Sequence, residues 1–459
     1  MPFFIDFKFS NIDTIKLQKK TVFFIIIISF FFFVLHYIKY YLTYAKNKQG
    51  GFTMYTEIKK DIHWVGAVDW NERDFHGYNT PRGSTYNSYL IQDDKNLIVD
   101  AVKGPFADVL IDHVTEFISL DKIDYIIQNH AEPDHSGALP AMMKAMPNAT
   151  LVCNKKTMAI LASYYDTKDW KVKFVKTGDT LNIGKHTLTF MEIPLVHWPD
   201  SMATYLTDEK ILFSNDAFGQ HYATNKRFDD EVSLNTAIEE AGIYYANIVI
   251  TYNKRVQQVL KSLKDLPIEM ICPSHGIIWR SHVDEILTAY NNWAFNRCKA
   301  KIVVLYSTMW HSTESMAMAI VRGATRAGAE VKVFDLAKSN NTIIATELLD
   351  SAGFAVGTST INQGMLSNMA SAICYIQGMK LTDRVALAFG SYGWGKGGPE
   401  QLQDKIAEMK LEALTEQAFK VKYRPTPEDL THCTELGTKL AEKTIALAAE
   451  SGHQKLVTD

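Results

Sequence analysis

The chain of 459 residues holds only five cysteines, Cys153, Cys272, Cys298, Cys374 and Cys433, and no two of them form a C-x-x-C pair. That spacing encodes neither a disulfide framework nor a cysteine knuckle for zinc or a rubredoxin-type iron, and it fits a reducing, cytoplasmic compartment. Excess positive charge is also missing. Lys and Arg number 48 against 51 Asp and Glu, a net charge of -3 with no Lys/Arg-rich patch, which argues against nucleic acid as a partner. No internal repeat is visible. What remains is an ordinary globular composition, 47% hydrophobic and 22% charged, long enough for about three units of roughly 150 residues.

One long apolar run stands out, VFFIIIISFFFFVLHYI from Val22 to Ile38, flanked by Lys19, Lys20 and Lys39. Two readings of it stay open. It is long enough for a short membrane span, which takes about 17 to 25 apolar residues, and would then tether the protein through residues 22–38. Alternatively, its Phe, Ile, Lys, Asn and Tyr content is that of AT-rich upstream DNA read as protein, with Met54 the true start. Lysines on both sides give no orientation and no small-residue cleavage site follows, so a signal peptide fits less well. Residues 1–53 are set apart as an extension on either reading.

From Met54 onward, short β-branched or aromatic runs alternate with amphipathic stretches, the pattern of a layered α/β protein. Strands are expected at 85–92, 96–102, 124–128, 150–154, 187–194, 210–216 and 269–275, with helices at 136–146 and 281–297. At Lys301 a fresh strand, KIVVLY, begins a second alternation. The boundary is expected near 298–301, separating a unit at 54–297 from one at 301–450.

The first unit carries the densest chemistry. QNHAEPDHSG, residues 128–137, places His130, Glu132, Asp134 and His135 on one loop directly after an apolar strand. Three more strands end in a strong donor: His197 in HWPDS, Asp216 in SND and His275 in PSHG. Strand ends in α/β proteins converge on one crevice, so these seven can meet. Along an extended backbone His130 and Glu132 point the same way, while Asp134 and His135, at the turn into a helix, can face a second point. Two metals are easier to serve than one. If His197 joins the first pair and His275 the second, each metal receives two histidines and a carboxylate, with Asp216 left to bridge. That donor set, with open positions, favours non-heme iron over tetrahedral zinc. Singly, each residue has a plainer explanation: Asp216 as a turn cap, His275 as a buried loop histidine. His113, His186 and His282 are given no role, and His76 and His221 are candidates for orienting ligands or water by hydrogen bonds.

The second unit opens with a strand followed by a hydroxyl-rich loop and a helix, a phosphate site built on Ser307, Thr308, Ser312 and Thr313 and the positive helix end. It contains no lysine and is neither GxxxxGK[ST] nor GxGxxG. FAVGTSTINQG (354–364) and RVALAFGSYGWGKGG (384–398) add two more strand ends. There Gly390, Gly393 and Gly395 admit a planar ring, and Tyr392 and Trp394 can flank it. With strands near 302, 331, 354, 384 and 419, the unit resembles flavodoxin, a doubly wound sheet of order 2-1-3-4-5 that binds FMN at the carboxyl ends of its strands. The FMN contacts expected from this resemblance are Ser307, Thr308, Met309, Trp310, His311, Ser312 and Thr313, then Ser359, Thr360, Asn362 and Gly364, and finally Ser391, Tyr392, Gly393, Trp394 and Gly395.

Residues 54–297 resemble the metallo-β-lactamase fold, an αββα sandwich whose hydrolases carry HxHxDH on this loop. Here HAEPDH puts Glu132 where the second histidine would stand. Together with DWNERDFHGY, HWPDS and SNDAFGQ, that substitution resembles the flavodiiron proteins. The resemblance implies one iron on His130, Glu132 and His197, a second on Asp134, His135 and His275, and Asp216 bridging. It further implies an oxidoreductase that takes electrons through FMN to reduce O2 to water, NO to N2O, or both, in a head-to-tail homodimer. With no C-x-x-C module of its own, the chain would need an external donor, rubredoxin-like or a flavin reductase. Two other readings remain: a zinc metallohydrolase fused to a flavodoxin, and a pure FMN electron carrier.

Overall fold

The computed structural model describes residues 56–395 and 397–456; the apolar run at 22–38 and the residues around it lie outside them. Its first half is two sheets packed face to face. A seven-stranded sheet runs in the order Thr56–Lys59, Ile62–Trp64, Tyr89–Ile91, Asn96–Val99, Ile123–Ile127, Thr150–Cys153, Val172–Phe174. A five-stranded sheet follows in the order Thr180–Asn182, Thr187–Glu192, Met202–Leu206, Ile211–Asn215, Met270–Pro273. Side chains alternate across each strand, so Val99, Ile127 and Val152 from one sheet meet Phe190, Phe213 and Cys272 from the other in a shared core. The outer face of the first sheet is covered by Leu110, Leu139, Met142 and Leu161, all fully buried on helices Ala107–Thr115, Leu139–Ala145 and Lys155–Tyr164. Helices Leu234–Tyr244, Asn253–Leu263 and Val283–Ala294 cover the second sheet. This is the αββα sandwich.

One expected strand is two. The run at 85–92 pairs first with Ala67–Asp69, through Ser84–Tyr86, and then with the main sheet, through Tyr89–Ile91. Asn87 makes the break. Its amide donates to Ser274 O, its side-chain NH2 donates to Pro273 O and Gly276 O, and its Oδ1 accepts from Trp64 Nε1. A buried side chain satisfied that fully replaces ladder bonds without loss. The helix expected at 281–297 is the shorter Val283–Ala294, and the one at 136–146 is divided between Pro133–Ser136 and Leu139–Ala145.

The second half is a parallel sheet in the order Glu330–Asp335, Lys299–Ser307, Ser351–Ile361, Val385–Tyr392, with Glu412–Ala413 and Phe419–Lys422 both pairing with the last. In chain order this is 2-1-3-4-5, the doubly wound topology. Helices Ser312–Arg326 and Pro427–Ser451 cross closely on one face. A Cβ on Gly323 would stand 1.9 Å from Thr434 O, and one on Gly437 would stand 2.0 Å from Ile320 O, so only glycine permits that approach. The other face packs against the sandwich: Ile344, Leu348, Leu349, Met369 and Ile376 share one core with Tyr244, Tyr245 and Trp293. At this junction the chain forms a π-helical turn, Tyr245–Val249, and Asn247 Oδ1 there accepts from Tyr375 Oη at 2.6 Å.

Candidate metal centre and cofactor cavity

Strands Thr187–Glu192, Ile211–Asn215 and Met270–Pro273 run in the same direction within their sheet, so His197, Asp216 and His275 emerge at one edge. The loop after Ile123–Ile127 reaches the same edge, tied to it where Met202 N donates to Asn129 O. All seven expected donors are brought together and all are buried.

They fall into two adjoining sets. His130, Glu132, His197 and Asp216 form one, and Asp134, His135 and His275 the other. Glu132 Oε2 lies 3.2 Å from both His130 Nε2 and His197 Nε2. Asp134 Oδ2 lies 3.4 Å from His135 Nε2 and 3.1 Å from His275 Nε2. Asp216 faces both sets with different oxygens: Oδ2 is 3.6 Å from His130 Nε2 and 3.4 Å from His197 Nε2, while Oδ1 is 2.8 Å from His135 Nε2 and 3.5 Å from His275 Nε2.

Of these contacts His130 Nε2–Glu132 Oε2 has hydrogen-bond geometry, and all have the separations of ligands around an ion. Both oxygens of Asp134, both of Asp216 and both ring nitrogens of His135 are buried without a well-formed hydrogen bond, an expensive state for polar groups unless something else satisfies them. Donors about 2.1 Å from a common ion stand roughly 3.0 to 3.5 Å apart, close to the 2.8 to 3.6 Å found here. The residues therefore fit two ions. Two imidazoles and a carboxylate per ion, rather than three imidazoles, fit iron.

Electrostatics point the same way. Burial opposes charging of His130, His135 and His197, yet the hydrogen bonds and charges of Asp200, Glu132, Asp134 and Asp216 push them up to about 10, about 9 and about 10 respectively. Burial would raise the Asp216 carboxyl, but His135 and His197 hold it well below its ordinary range. A site that draws positive charge so strongly is matched to cations.

Ligand orientation is fixed from behind. His130 Nδ1 is 3.2 Å from both oxygens of Asp200, which also accepts from Ala131 N at 2.8 Å. His275 Nδ1 donates to Thr85 O at 2.6 Å. His76 Nε2 is 2.7 Å from Glu132 Oε1. His221 pairs through Nδ1 with Ser84 Oγ at 2.7 Å, and burial beside His275 keeps its pKa well below the ordinary value. Sequence reading gave Asp200 no role, although an acid three residues after a ligand histidine was the available signal. It also missed Asp100, whose carboxylate accepts from Asn129 N, Asn129 Nδ2, Asn215 Nδ2 and Ser274 Oγ. Those three residues directly precede His130, Asp216 and His275. The histidines given no role are elsewhere: His113 meets Gly66 O, His282 meets Asp229, and His186 is held through its backbone by Asp93.

At the carboxyl ends of the parallel strands lies a cavity of about 890 Å³. Twelve of the sixteen residues expected to contact a flavin line it: Met309, Trp310, His311, Ser312, Ser359, Thr360, Asn362, Ser391, Tyr392, Gly393, Trp394 and Gly395. Ser307, Thr308, Thr313 and Gly364 do not. Ser307 Oγ instead donates to Asn368 Oδ1, and Thr313 lies beneath the floor, its hydroxyl 3.0 Å from Ser359 Oγ and 2.9 Å from Ser391 Oγ. Gly364 belongs to a short strand paired with Ser351–Ile361. Ser315, Ile361, Gln363, Tyr423 and Arg424 also line the cavity; the last two directly follow the strand Phe419–Lys422, where the sequence offers no glycine signal. A helix start without a side-chain cap, hydroxyls and flanking aromatic rings suit a phosphorylated planar ligand.

Comparisons with known proteins agree with this layout. Residues 85–276 match the family model described as ODP family beta lactamase, and residues 304–437 match Flavodoxin. The chain is 43% identical to a protein named nitric oxide reductase from Moorella thermoacetica, over 84% of this chain and 98% of that one. Among solved structures, it is similar to the flavodiiron protein of Giardia intestinalis, with a TM-score of 0.85, 34% identity and coverage of 86% of this chain and 98% of that one. It is likewise similar to the rubredoxin oxygen:oxidoreductase of Desulfovibrio gigas, with a TM-score of 0.83, 35% identity and coverage of 87% and 100%.

Proposed function

Because the chain belongs to the flavodiiron protein family, we propose that it is an oxidoreductase using FMN and a non-heme diiron centre to reduce O2 to water, NO to N2O, or both. The observation that carries this reading is the pair of adjoining, buried donor sets with Asp216 turning one oxygen to each. The named activities of the relatives, nitric oxide reduction and rubredoxin-dependent oxygen reduction, supply the two candidate oxidants.

His130, Glu132 and His197 would hold one iron and Asp134, His135 and His275 the other, with Asp216 shared; Ser312, Ser359, Thr360 and Ser391 would hold FMN together with its flanking rings Tyr392 and Trp394. When bound, FMN exchanges electrons singly and a diiron pair supplies redox equivalents with open positions for a diatomic oxidant. The chain's own contribution is positional. Asp200 and Thr85 fix the tautomers of His130 and His275 so that each presents Nε2. His76 engages the Glu132 oxygen opposite the one facing the imidazoles. Phe75, 4.4 Å from His221 and 5.9 Å from His275 by ring centroids, sets an apolar ring beside the second set.

The FMN unit is assigned to 301–450 and the diiron unit to 54–297, with 1–53 a separate extension; the family matches and the strand beginning at Lys299 support this division. A head-to-tail homodimer is supported by Trp310 and Trp394, which stand 85% and 88% exposed at the cavity rim, an apolar surface that a second copy would cover. Electrons would come from a separate donor, a rubredoxin-type protein or a flavin reductase. The five cysteines are free, which supports a reducing, cytoplasmic setting; among the described residues no helix is long and apolar enough to cross a membrane.

Anaerobic addition of each gas to the pre-reduced protein, with product analysis, tests the reading. Reoxidation of the flavin with formation of water or N2O is expected. Hydrolysis of a thioester or lactam by a zinc-loaded protein that consumes neither gas would replace it with the hydrolase reading.

A further inference from the structure

The hairpin of residues 74–79 has two residues in each strand, pairing Asp74 with Asn79 and Phe75 with Tyr78. Its turn residues His76 and Gly77 both have positive φ, 53° and 82°, the conformation a two-residue hairpin loop requires. Gly77 N donates to Asp74 Oδ1 at 2.9 Å. A hairpin so short has no stability of its own in water, so its surroundings decide where His76 stands.

On its inner side the hairpin meets the metal centre. Phe75 packs on His221 and His275, and His76 Nε2 reaches Glu132 Oε1. On its outer side it meets the other half of the chain, where Asn79 N donates to Thr342 Oγ1 at 2.9 Å. Thr342 is buried in the first turn of helix Asn341–Leu349. That helix is itself well held: Asn340 Oδ1 accepts from Ile343 N at its start, and Ile344, Ala345, Leu348 and Leu349 sit in the core shared between the two halves.

We propose that Thr342 is a positioning residue for the metal centre, its hydroxyl setting the hairpin that brings His76 onto Glu132. The flavodoxin-like half is then a structural part of the metal site within its own chain, apart from any role in electron supply. The inference rests on the reading of Glu132 as a metal ligand. It makes the orientation of that ligand depend on a residue more than two hundred positions away in sequence.

Thr342→Val keeps the volume and removes the acceptor, and Thr342→Ser keeps the acceptor. In the full-length holoprotein, amide exchange at residues 75–79 should quicken roughly two- to tenfold in the valine variant, with iron loss to a chelator quickened by a similar factor and both restored by serine. In a His76→Ala background, where the link to Glu132 is already cut, Thr342→Val should no longer change iron loss. Unchanged exchange and iron loss in Thr342→Val would overturn the proposal, as would an iron-loss effect that adds in full to that of His76→Ala. The exchange measurement reads the anchor whatever ion the centre holds, so its failure is distinct from failure of the diiron reading, which would show as absence of iron.

Discussion

Asp200 holds the imidazole of His130 from behind, with both carboxylate oxygens 3.2 Å from Nδ1 and the ring fully buried. Among the described residues Asp200 is the side chain bonded to Nδ1, and it selects the tautomer that leaves Nε2 free to ligate. Asp200→Ala should therefore weaken metal binding by about 10- to 100-fold while leaving FMN content unchanged. Competition with a chelator measures the first and the flavin absorbance the second; unchanged metal affinity would remove Asp200 from the site.

Among the described residues Asp216 is the one that faces both donor sets. Asn has a single oxygen and no charge, so Asp216→Asn cannot serve both. Oxidant consumption should vanish and iron content fall, while an added reductant still reduces the flavin at the wild-type rate. Persisting turnover would show that no bridge is needed.

Protons compete with metal for this site. In the ion-free chain, neighbouring carboxylates hold protons on His130 and His197 up to about 10 and on His135 up to about 9, against the cost of burial. Metal uptake at neutral pH must displace those protons. Calorimetric titration in buffers of different ionisation enthalpy should report release of about three protons per loaded chain, and affinity should fall more than tenfold per unit as pH drops below 9. A pH-independent affinity would contradict the arrangement.

Glu240 tests the fold rather than the chemistry. Burial pushes its carboxyl up to about 7, against the pull of Arg82, whose Nε lies 2.7 Å away. An unfolded glutamate titrates near about 4.3. The folded value is raised, so the stability this group contributes is full below that pH and is lost as pH rises through about 7. Glu240→Gln should gain on the wild type across that window, by on the order of 4 kcal/mol at most. Denaturant titrations at pH 5 and pH 8 would show it.

The floor of the cofactor cavity depends on three hydroxyls in mutual contact, Thr313, Ser359 and Ser391. Thr313→Val removes the hydroxyl that bonds the other two. FMN affinity should fall by roughly tenfold, the scale of one to two hydrogen bonds, with the metal content intact. Equilibrium dialysis of the flavin decides this.

Where the sequence was legible, the reason is periodicity and chain-end geometry. Strands ending in His197, Asp216 and His275 are short apolar runs with one strong donor just past the end, and the alternation of His130 and Glu132 against the turn at Asp134 and His135 foreshadows the two sets. Strands alternating with helices require a parallel sheet with right-handed crossovers, and the 2-1-3-4-5 order came with the resemblance to flavodoxin. Residues that act through contacts across the fold were not legible. Asp100 looks like any acid after a strand until Asn129, Asn215 and Ser274 surround it. The hairpin at 74–79 is too short for any period to show, and Thr342 is an ordinary helix-start threonine until Asn79 docks on it. The split of 85–92 depends on Asn87 bonding to residues near 274, a contact no local pattern contains.

The most direct test of the central claim is elemental and flavin analysis of the full chain purified without added metal, joined to Mössbauer spectroscopy of the iron. The account predicts about two iron ions and one FMN per chain, the irons coupled as a pair. A centre filled by zinc alone, or iron present only as isolated ions, would contradict it.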